Sequence, residues 1–211
     1  MNKKTIFITG IGTDVGKTIT SAIITEALQA DYWKPVQAGD LHLTDSMKVE
    51  QLVSNPKSVF HPSVYAMQTP ASPHYAAALD ETTIELSQLK RPKTKNHLII
   101  EGAGGLLVPL NDQHTILDLI HPDDFVIVVS RHYLGSINHT LLTLEFLKAA
   151  GLKNIGIIFS GDPYASTEDI ILKKSQLPMI GRIEVEPFFD QNVVLEYAER
   201  FLPDLEKFIN G

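Results

Sequence analysis

Residues Gly10 to Thr18, GIGTDVGKT, join the short apolar run TIFIT (Thr5 to Thr9) to a segment of helical periodicity from Lys17 to Ala30. A buried strand, a glycine-rich turn and a helix opening on lysine and threonine form a phosphate-binding arrangement. A polyphosphate needs backbone N–H donors that close around it, so glycines must let the chain approach. It also gains from the positive end of a helix dipole. A lysine must reach the terminal phosphates, and a hydroxyl must meet the Mg2+ that accompanies them. Gly16, Lys17 and Thr18 supply these groups in order, and Gly12, Thr13, Asp14 and Val15 complete the loop. Five residues separate Gly10 from Gly16, one more than in the commoner pattern. Two other readings compete. One is a plain turn with a surface lysine and a capping threonine. The other is a dinucleotide-binding turn, which wants an acidic residue after the second strand, where this chain has Lys34.

The rest of the chain repeats the strand–helix alternation. Asp31 to Val36, His97 to Ile100, Phe125 to Ser130, Asn154 to Phe159 and Met179 to Ile183 read as strands. Helices are expected over Asp45–Ser54, Thr83–Lys90, Ser136–Ala150 and Val193–Phe208, the last bent before Pro203. Strands that are apolar throughout and separated by helices predict an α/β fold. Its sheet is mainly parallel, doubly wound and covered on both faces, as in P-loop NTPases. Ligands of such sheets bind beyond the carboxyl ends of the strands. The unusual residues stand there: Lys34 to Asp40, Glu101 to Gly105, Arg131 to Asn138 and Ser160 to Pro163. Leu41 to Lys95 is proline-rich and reads as an elaborated crossover.

At 211 residues the chain fits one domain spanning 1–211. Its 44% hydrophobic and 20% charged residues are ordinary globular composition. A net charge of −7 argues against a general nucleic-acid binder. No cysteine is present, which removes disulfides, thiolate metal sites and cysteine nucleophiles. The eight histidines lack metal-ligand spacing, and His61, His114 and His121 read as loop residues. No apolar stretch approaches the ~20 residues of a membrane span. A soluble, cytoplasmic protein is expected, with no nucleic-acid or membrane partner.

Five segments together resemble the dethiobiotin synthetase family, over Thr5 to about Ile183. They are Gly10-x5-Gly16-Lys17-Thr18, Lys34-Pro35-Val36-Gln37-Ala38-Gly39, Ser72-Pro73-His74, Glu101-Gly102-Ala103-Gly104-Gly105 and Leu134-Gly135-Ser136-Ile137-Asn138-His139. The resemblance implies a cyclo-ligase of biotin biosynthesis that uses ATP and Mg2+. It would turn 7,8-diaminononanoate and CO2 into dethiobiotin through a carbamate and a carbamic–phosphoric anhydride. It implies catalytic roles for Lys17, Lys34 and Thr13, and Mg2+ contacts from Thr18, Asp45 and Glu101, with Asp40 a second candidate. Nucleotide would be held by Gly12 to Thr18, Glu101, Ser160, Ile183, Glu184 and Val185. Substrate would meet Thr13, Lys34, Ala38, Ser72 and Pro73. It would also meet Gly135, Ser136, Ile137 and Asn138 of a partner subunit, in a homodimer with substrate at the interface. Read alone, Ser136 is an ordinary N-cap.

The chain departs from the family pattern in places. Asp14 stands where glutamate is frequent. Ala38 replaces a hydroxyl residue, whose hydrogen bond Gln37 could replace. Ser160-Gly161-Asp162 lacks the asparagine expected to read adenine, and Gly181-Arg182-Ile183-Glu184 lacks a proline. Two other functions compete. A cobyrinate-type amide synthase would need a glutaminase domain. A partitioning-ATPase switch would carry a lysine early in the loop, and positions 11 to 15 have none.

Overall fold

A computed structural model describes residues 3–211. In chain order the elements are β1 (Thr5–Gly10), α1 (Lys17–Leu28), β2 (Asp31–Trp33), β3 (Val36–Ala38), α2 (Asp45–Leu52), β4 (Phe60–His61), β5 (Tyr65–Met67) and α3 (Pro73–Leu79). They continue with β6 (Leu98–Gly105), β7 (Phe125–Arg131), α4 (Ser136–Ala149), β8 (Asn154–Ser160), α5 (Ala165–Ser175), β9 (Met179–Ile183) and α6 (Gln191–Asn210). Seven strands form one sheet in the order β4-β2-β6-β1-β7-β8-β9, every neighbouring pair parallel. β3 and β5 form a separate parallel pair. The expected α/β class and covered parallel sheet are therefore present.

Side chains alternate across the sheet, so a strand buried on both faces must be apolar at every position. In β1, Ile6 and Ile8 face α1 and α6, while Phe7 packs with Trp33, Ile100 and the segment that follows β6. In β7, Ile127 and Val129 join the α1/α6 layer. Val126 and Val128 pack instead on Leu144 and Leu147 of α4 and Ile171 of α5. These layers hold β2, β6 and β1 side by side through the pairings Trp33↔Ile100 and Phe7↔Ile100, and the carboxyl ends of β1 and β6 meet at Gly10↔Gly105.

Several expected elements differ. The strand read over Asp31 to Val36 breaks after Trp33, because Lys34-Pro35 turns the chain into β3. The helix expected over Thr83–Lys90 is only a single 3-10 turn, Leu86–Gln88. His61 lies in β4, where Nε2 is 3.3 Å from Asp31 Oδ2. The last helix runs through Pro203 to Asn210.

Candidate functional site

The phosphate loop is shaped by its backbone. Gly16 caps α1 with φ 101°, a conformation that disfavours any side chain, and a Cβ there would stand 3.0 Å from Ser160 Oγ. Asp14 also has a positive φ, 56°, and its carbonyl accepts from Arg131 Nη1 at 2.9 Å. The Thr20 amide reaches Gly16 O at 2.9 Å, so the amides of Lys17, Thr18 and Ile19 begin the helix without an i−4 partner of its own. Lys17 folds back across the loop, donating to Gly12 O at 2.8 Å. Burial pushes its ammonium down to about 8; the Glu101 charge opposes this and Lys34 adds to it.

Glu101 anchors the floor, buried at 1% exposure in the middle of β6, which continues to Gly105 rather than ending at Ile100 as expected. Its Oε1 accepts from Thr18 Oγ1 at 3.0 Å and from Lys34 Nζ at 2.9 Å, and its Oε2 from Tyr32 OH at 2.9 Å. Lys34 reaches Asp45 Oδ2 at 2.7 Å from the same position. Burial works against the Lys34 charge, but Glu101 and Asp45 outweigh it and hold the ammonium above its ordinary range. Asp45 is held low: burial opposes its charge, and Lys34 and then Lys48 overcome that. Burial, then the charges of Glu101 and Asp45, push the Tyr32 phenol well up, so it stays a donor.

A cleft of about 1000 Å³ opens over these groups. Thr13, Asp14, Gly16, Lys17, Thr18, Lys34, Ala38, Asp45, Ser72, Pro73 and Glu101 all line it. Its wall closes where Gly39, at φ 76°, packs on Pro70; a Cβ would lie 2.5 Å from Pro70 Cα. Asp40 also lines the cleft but is exposed, whereas Asp45 joins the buried charge network. Gln37 is not free to replace the missing hydroxyl at Ala38. Its Nε2 donates to Gly39 O at 3.0 Å, and its Oε1 accepts from the Asp45 amide at 3.3 Å.

Other expected residues lie apart from this cleft. Val15 is buried in the core against the α1 layer, leaving its backbone alone available to the loop. Ser160, Ile183, Glu184 and Val185 do not line it. Nearby, Gly161 donates to Ile183 O at 2.9 Å and the Glu184 amide to Tyr197 OH at 3.1 Å. Gly135, Ser136, Ile137 and Asn138 stand at the start of α4, also outside the cleft. The cap there is Gly135 rather than Ser136, whose side chain is buried and whose amide bonds Tyr133 O at 2.9 Å.

Three contributors were not singled out from sequence. Tyr32 reads as a core residue of an apolar strand, and its partner is 69 positions away. Lys48, 3.5 Å from Asp45, follows it by three positions on α2, a spacing that could have suggested the pair. Arg131, which braces Asp14, falls in the Arg131 to Asn138 segment marked for its place after a strand, but no role was read for it.

Residues 4–192 match a family model described as an AAA domain. The chain is 59% identical to the "ATP-dependent dethiobiotin synthetase BioD" of Christiangramia forsetii, over 94% of this chain and 96% of that one. It is 49% identical to the protein of the same name from Cytophaga hutchinsonii, over 92% and 95%. Among solved structures, a ParA family ATPase from Chlorobium tepidum superposes with a TM-score of 0.58 at 16% identity, covering 99% of this chain and 98% of the other. The cell division protein MinD from Aquifex aeolicus gives 0.57 at 14%, over 95% and 97%. These two share the fold. Identity at this level along almost the whole length of both chains settles descent: the chain belongs to the ATP-dependent dethiobiotin synthetase family.

Proposed function

We propose that this protein closes the ureido ring of dethiobiotin from 7,8-diaminononanoate, CO2 and ATP. The observation that carries the reading is the convergence of Lys17 and Lys34 on one cleft, together with the open amides of α1 and the Glu101–Asp45 carboxylates. The difficult encounter in this reaction is between two anions. A carbamate, formed by one substrate amine with CO2, must attack a polyanionic γ-phosphate. Lys17 and the amides of Lys17, Thr18 and Ile19 stabilise the phosphate side, and Lys34 faces the carbamate side. Such transfers are driven mostly by positioning and charge stabilisation. The carbamate oxygen takes the γ-phosphoryl group and ADP leaves. The second amine then attacks the carbonyl carbon, the C–O bond to phosphate breaks, and the ring closes. Thr13, Ala38, Ser72 and Pro73 border the space left for the substrate.

Thr18, Asp45 and Glu101 suit a divalent cation. The two carboxylates converge, since Asp45 Oδ2 and Glu101 Oε1 lie 2.7 and 2.9 Å from the same Lys34 ammonium, which would keep its place beside the cation. Mg2+ held there would neutralise the phosphate oxygens.

We also expect a homodimer. Leu134 is fully exposed beside the exposed Tyr133, and Leu142 and Phe146 share one exposed face of α4. The Ile137 and Asn138 amides at the start of that helix have no backbone acceptor among the described residues, which suits the substrate carboxylate of the neighbouring subunit. The cytoplasm, where ATP and bicarbonate meet, is the compartment this reading expects.

Phosphate release in a coupled assay tests the proposal. Release should require 7,8-diaminononanoate and bicarbonate together. Equal release without either would favour the nucleotide switch that the shared fold also permits.

A further inference from the structure

The cleft extends to either side of the Lys34–Asp45–Glu101 charge network. One arm runs past Ala38, Ser72 and Pro73, the space given above to the substrate. The other is walled by Ile19 of α1, by Lys48, Gln51 and Leu52 of α2, and by Phe189, just before α6. Ile19, Leu52 and Phe189 are half-buried and pack on the same core layer. Gln191 Nε2 donates to Gln51 O at 3.1 Å, which fastens the start of α6 to α2 and keeps Phe189 beside Leu52. The Phe189 ring leans on Tyr197, with centroids 6.5 Å apart. The second arm thus has a fixed apolar wall, carrying one aromatic ring, in a cleft whose centre is charged.

The direction of a bound triphosphate follows from the charges. Its γ-phosphate must face Lys34 to meet the carbamate. The amides of Lys17, Thr18 and Ile19 are open to the phosphates, and Ile19, the last of them, borders the second arm. The α-phosphate leaves the loop on that side and carries the nucleoside into the second arm. The segments expected to hold the base do not compete for it. Ser160, Ile183, Glu184 and Val185 lie outside the cleft, and the Ile183 carbonyl and Glu184 amide are bonded within the protein. We infer that Ile19, Leu52 and Phe189 form the base subsite, and that it holds a nucleobase by stacking and apolar contact rather than by reading its edge. Every base has a π face, so such a wall accepts them alike. The inference rests on the nucleotide cleft proposed above.

Phe189→Ala removes the ring. Non-hydrolysable analogues of ATP and CTP, and inorganic tripolyphosphate, are titrated calorimetrically with Mg2+ into the full chain, wild type and variant. The Kd of both nucleotides should rise about tenfold in the variant, equivalent to about 1.4 kcal/mol, while that of tripolyphosphate stays within about twofold. A rise smaller than about threefold for the nucleotides overturns the inference. An equal loss for tripolyphosphate also overturns it, because the effect would then lie in the phosphate loop. A rise confined to ATP contradicts contact that ignores the base edge. Wild-type protein that binds neither nucleotide nor tripolyphosphate would sink the reading of the cleft itself, and the inference with it. Should Phe189→Ala not fold, 8-azido-ATP photolysed on the wild type decides the matter by mass spectrometry. Label at Ile19, at Lys48 to Leu52 or at Phe189 is expected, and label elsewhere overturns the inference.

Discussion

Replacing Lys34 with methionine removes the ammonium between Glu101 and Asp45 while keeping an apolar stem of similar length. The Lys34 and Glu101 side chains are only 5% and 1% exposed, so the remaining carboxylate is left charged in the interior. Breaking a buried ion pair from one side costs about 3–5 kcal/mol. The lower end applies here, because Asp45 is 22% exposed and keeps Lys48 at 3.5 Å. For a chain of this size, about 3 kcal/mol lowers the melting temperature by roughly 6–12 °C. Trp33, the sole tryptophan, is buried next to Lys34 and reports urea unfolding by fluorescence. The pH dependence has a definite sign. The folded pKa of Lys34 is raised, so its contribution is complete below its unfolded value and is lost only as pH rises through the folded one. Asp45 is depressed, so its contribution is complete above its unfolded value near 3.8 and is lost as pH falls through the folded one. The difference between variant and wild type should therefore be flat across neutral pH and close in acid. Adding Glu101→Gln to Lys34→Met should recover part of the loss. A Lys34→Met protein that unfolds cooperatively within about 1 kcal/mol of wild type at pH 7 would refute the buried-pair reasoning.

Lys34→Met and Lys17→Ala should each lower turnover by at least ~10²-fold, measured on protein shown to be folded; near-normal turnover would remove the assigned role. Gly39→Ala should destabilise the protein and impair substrate binding together, because its Cβ would meet Pro70 at 2.5 Å in a strained conformation; an unchanged melting curve and KM would contradict this. GTP, CTP and UTP should serve within about tenfold of ATP, a gap of about 1.4 kcal/mol. Where the family pattern places the base, Ser160 replaces an asparagine, and the Ile183 carbonyl and Glu184 amide are already bonded within the protein. A hundredfold preference for ATP in kcat/KM would sink that expectation.

What could be read from sequence follows from where the signal lies. β1, β7 and β8 are buried on both faces, so their side chains must be apolar throughout, and runs such as FVIVV are unmistakable. β3, β4 and β5 have two or three residues each and are fixed by tertiary contacts, leaving no period to detect. α5 escaped because its buried face includes Thr167, Glu168 and Ser175 beside a lone Ile171. That face becomes intelligible only once Glu168 is seen pairing with Arg182 and His132. Thr83–Lys90 looked helical because Ile84, Leu86 and Leu89 are apolar, but Ile84 and Leu89 are buried from irregular backbone. At the site, Lys17, Thr18 and Glu101 were legible because each stands next to glycines that follow an apolar run. Tyr32 was not, because an aromatic side chain within a strand shows its hydroxyl partner only in three dimensions.

The proposed reaction couples ATP cleavage to building a ring carbon from CO2. Incubating the protein with ATP, Mg2+, 7,8-diaminononanoate and 13C-bicarbonate tests it directly by mass spectrometry. The predicted result is dethiobiotin carrying a single 13C, with phosphate released in equal amount. Phosphate released without labelled ring product, from protein that binds the diamine, would contradict the claim.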